Sequence, residues 1–108
     1  MFIDLPKPIT DYFTADRGDA EDVVQCFTVN AVVKDEGNTY HGQDEIRRWK
    51  TETSAKYTYT VDLIAAEHSG GTTIVTGHLV GDFPGGVVDL RYFFELKGEK
   101  IASLEIIP

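Results

Sequence analysis

The stretch Val87-Val88-Asp89-Leu90-Arg91-Tyr92-Phe93-Phe94-Glu95-Leu96-Lys97-Gly98-Glu99-Lys100-Ile101-Ala102-Ser103-Leu104-Glu105-Ile106-Ile107 decides the fold. Two runs rich in aliphatic and aromatic residues flank a Lys-Gly-Glu-Lys turn, the pattern of a long β-hairpin. A three-residue turn with Gly98 near its start sets Leu96 opposite Ala102, Phe94 opposite Leu104 and Tyr92 opposite Ile106. One face then holds Leu90, Tyr92, Phe94, Leu96, Ala102, Leu104 and Ile106. The other collects Asp89, Arg91, Phe93, Glu95, Ser103 and Glu105. A two-residue turn slips the pairing by one and carries Ser103 and Glu105 onto the greasy face. The clean sorting costs less, so the three-residue turn is expected.

Upstream, Phe83-Pro84-Gly85-Gly86 breaks the chain, and Ser69-Gly70-Gly71 turns a strand from Tyr57 to Glu67 back into one from Thr72 to Asp82. Nearer the start the period changes. Pro8 suits a first helical position, with Ile9, Tyr12 and Phe13 on one helix face until Arg17-Gly18. Asp19 caps a second helix whose inner stripe is Val23, Cys26 and Phe27. Ala31 to Asp35 reads as a short strand, followed by the turn-rich Glu36-Gly37-Asn38. A third helix opens at Gly42-Gln43-Asp44-Glu45, with Ile46 and Trp49 sharing a face and Arg47, Arg48 and Lys50 toward its negative C-terminal half. Helix, helix, strand, helix and four long antiparallel strands make a single α+β domain over residues 1–108. A sheet this long curls, so its concave side wraps the helices and leaves a cone-shaped cavity.

The chain has 108 residues, a net charge of −8 and one cysteine. Such a charge argues against nucleic acid or an anionic membrane as partner, since phosphate contacts need Lys or Arg. No apolar run approaches the roughly 20 residues that span a bilayer. The acidic start is unlike a signal peptide, and a lone Cys26 in an apolar stretch reads as a small buried hydrophobe. A cytoplasmic location is the expectation. His41, His68 and His78 lack metal-ligand spacing, so neither metal nor cofactor is expected.

The order of elements and several motifs resemble the NTF2-like (cystatin-like) superfamily, in its SnoaL-like and ketosteroid-isomerase-like branch. The residues that carry the resemblance are Asp19-Ala20-Glu21-Asp22 leading to Phe27, Ala31-Val32-Val33, and Asp35. Tyr40-His41-Gly42 before Ile46 and Trp49, and the closing Leu96-Lys97-Gly98-Glu99-Lys100-Ile101, complete the set. The resemblance implies three N-terminal helices packed on a curved, mostly antiparallel sheet, and a homodimer packed sheet to sheet. It says little about activity, because that superfamily hosts isomerases, cyclases, hydrolases and non-catalytic binding domains.

By resemblance, Asp35 stands where ketosteroid isomerases carry their proton-shuttling aspartate. At the mouth of an apolar cavity a carboxylate is usable as a general base; the plainer reading is that Asp35 and Glu36 start a solvated turn. The oxyanion-stabilising tyrosine of those isomerases maps next to Tyr12, although counting back from Gly18-Asp19 reaches Asp11. Asp89, Arg91 and Glu105 invite comparison with limonene-epoxide-hydrolase-like enzymes, yet the expected register puts them outside as cross-strand ion pairs. Trp49 and Phe83 sit near element ends where the cone opens, and Tyr92, Tyr59, Phe13 and His41 join them as candidate ligand contacts. The expected function is binding of a small apolar or polyketide-like molecule, with acid–base isomerase or cyclase chemistry at Asp35. A non-catalytic binding or dimerisation module is the alternative. The convex face carrying Thr76, His78, Val80, Asp89, Arg91, Phe93 and Glu105 is the expected dimer surface.

Overall fold

The computed structural model describes residues 5–108. Its elements are α1 (Lys7–Ala15), α2 (Ala20–Val24), β1 (Phe27–Asp35), β2 (Asn38–His41), α3 (Gly42–Lys56), β3 (Tyr59–Ser69), β4 (Thr72–Gly81), β5 (Val87–Lys97) and β6 (Lys100–Ile107). The strands form one sheet in the order β2-β1-β6-β5-β4-β3, antiparallel throughout except that β1 runs parallel to β6. The three helices cover its inner face. Ile9, Tyr12 and Phe13 of α1 and Ile46 and Trp49 of α3 meet Val75, Phe94, Ile101 and Leu104 of the sheet in one buried core. Tyr12, Phe13, Tyr92 and Phe94 touch edge to face or stacked, at centroid distances of 5.0 to 6.2 Å.

The hairpin turn differs from the expectation in an instructive way. Gly98-Glu99 is a two-residue turn, and Leu96 pairs with Ile101 rather than Ala102. Gly98 takes a left-handed φ of 61°, which glycine adopts without penalty. The slip that such a turn brings is absorbed at once by a bulge at Ala102, so Phe94 still faces Leu104 and Tyr92 still faces Ile106. Burial of Leu104 and Ile106 against a core of aromatics decides the far register, and the turn adapts to it.

Two further boundaries move. Cys26 and Phe27 lie beyond α2, and β1 begins at Phe27 because the Ile101 amide donates to the Cys26 carbonyl and draws that segment onto β6. Asn38–His41 forms the short β2 paired to β1 through a tight Glu36-Gly37 turn. Both turn residues have positive φ, 51° and 79°, the twist that matches a two-residue hairpin.

Gly81 closes β4 against the start of β3. A Cβ there would stand 2.5 Å from the Thr58 carbonyl oxygen and 2.6 Å from the Tyr59 Cβ. Gly81→Ala should therefore cost about 1–3 kcal/mol in urea denaturation, an overpacking effect.

Candidate functional site

Between the helices and the strand ends lies a cavity of about 350 Å³. Asp35 reaches it by strand alternation. Ala31 and Val33 are buried on the inner face of β1, and Asp35, two residues on, points the same way. The turn read from the sequence begins only at Glu36, so Asp35 itself is half-buried in the cavity wall. The indole N–H of Trp49 donates to Asp35 Oδ2 at 3.0 Å, which fixes the carboxyl and leaves Oδ1 with no side-chain donor among the described residues. Burial raises the Asp35 pKa above the usual carboxylate value; the Trp49 hydrogen bond pulls the other way, and the neighbouring Glu36 charge adds to the rise.

Tyr12 and Tyr92 also line the cavity, at 2% and 4% exposure. Neither hydroxyl is engaged by a side chain among the described residues, and no fully enclosed polar atom lacks a partner, so both open to the cavity. Burial holds both phenols in the protonated form, with Asp16 and Asp35 adding to the effect. These are donors waiting for an acceptor. Phe83 and Pro84 form the rim. The Asp82 amide donates to the Thr58 carbonyl at 3.0 Å and the Thr58 amide to Asp82 Oδ1 at 2.8 Å, anchoring that loop beside Tyr57. Leu79, Val88, Leu90 and Ile106 supply apolar wall.

Tyr59 lines the cavity as well, but its hydroxyl is already committed. It donates to Asp16 Oδ2 at 3.1 Å and accepts from Lys50 Nζ at 3.2 Å. Lys50 also donates to Asp16 Oδ1, and this ion pair is nearly sealed, the two side chains 2% and 8% exposed. The reading of Lys50 as a complement to the helix dipole does not reveal this cluster. Its signal was present: Ile46, Trp49 and Lys50 are spaced i, i+3, i+4, and Tyr12 and Asp16 are spaced i, i+4.

Not every candidate comes together here. Phe13 packs behind Tyr92 in the core and borders a separate groove with Asp16 and Tyr59. His41 is exposed ahead of α3, its backbone amide held by Glu45 at 2.8 Å, and it does not line the cavity. Asp89, Arg91 and Glu105 are exposed on the outer sheet face, Asp89 bonded to His78 at 2.7 Å, so the epoxide-hydrolase-like set is not assembled. Among the described residues no cluster of His, Cys, Asp and Glu is placed to hold a metal, and no helix is long and apolar enough to cross a membrane.

Asp35→Asn separates the cost of this placement from its use. Folding favours the protonated carboxyl, so that stabilisation is complete below the ordinary carboxylate pKa and is lost as pH rises through the raised one. The amide cannot ionise and can still accept from Trp49. The variant should melt a few degrees higher than wild type at neutral pH and converge with it in acid, as read by thermal scans at both ends.

Comparison with known proteins agrees with this architecture. A Sinorhizobium meliloti protein named as a candidate polyketide cyclase is 34% identical, with 95% of each chain covered and a TM-score of 0.90. A ketosteroid-isomerase-like protein from Catenulispora acidiphila, solved in complex with trimethylamine, is 21% identical over 97% of this chain and 87% of its own, with a TM-score of 0.86. TerC, co-crystallised with polyporic acid, is 14% identical over 93% of this chain and 87% of its own, with a TM-score of 0.79. The two more distant likenesses speak to fold alone. No functionally curated protein matches the sequence. The family model for the SnoaL-like domain matches residues 9–104. With an α+β cone of this topology and a match over nearly its whole length, the chain belongs to the SnoaL-like domain family.

Proposed function

We propose that the chain binds a small, largely apolar molecule in the cone and moves a proton on it as a cofactor-independent isomerase or cyclase, with Asp35 as the proton carrier. The observation that carries this reading is the pairing of a half-buried carboxyl, one oxygen held by Trp49, with the two unengaged phenol donors Tyr12 and Tyr92 around a common cavity. The 34% identical relative named as a candidate polyketide cyclase supports a polyketide-like carbonyl compound as the ligand.

In that reaction Asp35 Oδ1 takes a proton from carbon next to a ligand carbonyl. The C–H electron pair moves into the enolate, and Tyr12 or Tyr92 donates a hydrogen bond to the oxygen as its negative charge grows. Return of the proton from Asp35 to a second carbon completes an isomerisation; attack of the enolate carbon on a second carbonyl of the same molecule closes a ring as that C=O π pair moves onto oxygen, and Asp35 returns its proton to the alkoxide. Both steps conserve atoms and need no external oxidant. An open cavity with Asp35 in its wall favours this over a filled-cone binding module.

The test is hydrogen–deuterium exchange next to the carbonyl of small cyclic ketones and diketones in heavy water, followed by NMR. Wild type should accelerate exchange for at least one of them, and Asp35→Asn should lose about 10²–10⁴-fold. Equal rates in wild type and variant would refute the acid–base role.

A further inference from the structure

The charges around the cavity do not balance. Asp16 is neutralised by Lys50, and Glu36 at the rim lies 4.0 Å from Lys56. Asp35 has no such partner among the described residues, where its side-chain hydrogen bond comes from a neutral indole N–H. Among the described residues no lysine, arginine or histidine side chain lines the cavity. An anionic ligand would enter a space with carboxyls in its wall and no cation to receive it, which excludes carboxylates and phosphates as the groups that seat there.

The aromatic lining points the same way. Six of the lining residues are Tyr12, Trp49, Tyr57, Tyr59, Phe83 and Tyr92. Tyr57 and Tyr59 already have a protein cation over one face, Lys56 at 5.0 Å and Lys50 at 5.6 Å from the ring centroids. Tyr12, Trp49, Phe83 and Tyr92 have none among the described residues. Ring faces and phenol oxygens around one carboxylate outside any ion pair are what a weakly hydrated organic cation needs. We propose that the molecule this cavity takes carries a substituted ammonium group, seated among these rings with Asp35 as its counter-ion. This rests on the reading of the cavity as a ligand site. It is compatible with the base role, since a neighbouring positive charge acidifies a C–H.

The probes are an isosteric pair, 3-(trimethylammonio)phenol and 3-tert-butylphenol, which differ in charge and hardly in shape. Binding is read by calorimetry and by fluorescence of Trp49, the single tryptophan. At neutral pH the cation should bind at least about tenfold more tightly than its neutral twin. Asp35→Asn should bring the two affinities within about threefold while still binding the neutral phenol, which shows that the variant keeps its cavity. Lowering pH toward the ordinary carboxylate range should erase the preference in wild type, as Asp35 takes up a proton. The charged and titratable groups around it are Glu36 in the turn, Lys50 on α3, Tyr12 on α1, Asp16 just past its end, Tyr59 on β3 and Tyr92 on β5. Equal or tighter binding of the neutral phenol overturns the ammonium inference alone. Binding of neither probe overturns the cavity reading with it. The wild-type ratio and its pH dependence decide even where the variant fails to fold.

Discussion

Replacing Lys50 with methionine should destabilise the protein by about 3–5 kcal/mol, a large share of the 5–15 kcal/mol that holds a domain of this size. The side chain is buried beneath α3 and donates to Asp16 and to Tyr59. Methionine fills the space but leaves the Asp16 carboxylate enclosed with only the Tyr59 hydroxyl to satisfy it. The cost is that of an orphaned charge more than of a lost attraction. Lys50→Met combined with Asp16→Leu should recover most of the loss, because the two sites act as one unit. Urea denaturation of the singles and the double checks this. A single variant within about 1 kcal/mol of wild type would show that water reaches the pair. The effect should extend to the site, since Tyr59 forms cavity wall and is held in place by these two residues.

Phe93→Glu should convert a dimer into a monomer without disturbing the cone. We propose that the convex sheet face pairs with a second copy of the chain. Phe93 stands on that face between Ile74 and Glu105 of the neighbouring strands. Val80, Val87 and Ile64 are 47%, 56% and 53% exposed, and Val80 and Val87 are direct cross-strand partners, so apolar side chains adjoin in solvent there. The hydrogen-bonded His78 and Asp89, with Arg91, supply polar groups for two-fold pairing to align across the seam. Light scattering at micromolar concentration should give twice the chain mass for wild type and the chain mass for the variant, with identical circular dichroism. A wild-type monomer would refute the proposal.

Different parts of this architecture were legible to different degrees. The long hairpin sorts its own faces, because burying Phe94, Leu104 and Tyr92 together outweighs any local turn preference; only the turn was misjudged. The short β2 carries no hydrophobic run, and its existence depends on pairing to β1, a tertiary effect that a local pattern does not contain. Asp35 is a candidate by resemblance, and the alternation Ala31, Val33, Asp35 aims it inward unaided. Its bond to Trp49 joins two elements, and the sequence does not state their distance. Lys50 and Asp16 do not stand out in the sequence because charged residues are expected outside. Helical spacing placed both inside, and each makes the other tolerable there.

The central claim, that Asp35 sits in the wall of a sheltered cavity and is tied to Trp49, is tested most directly by NMR titration of its carboxyl carbon alongside the Trp49 indole proton. The predicted result is an Asp35 midpoint above the ordinary value of about 3.9, with the indole signal moving at the same midpoint. A midpoint at or below that value, or an indole proton indifferent to it, would place the carboxylate in water and contradict the account.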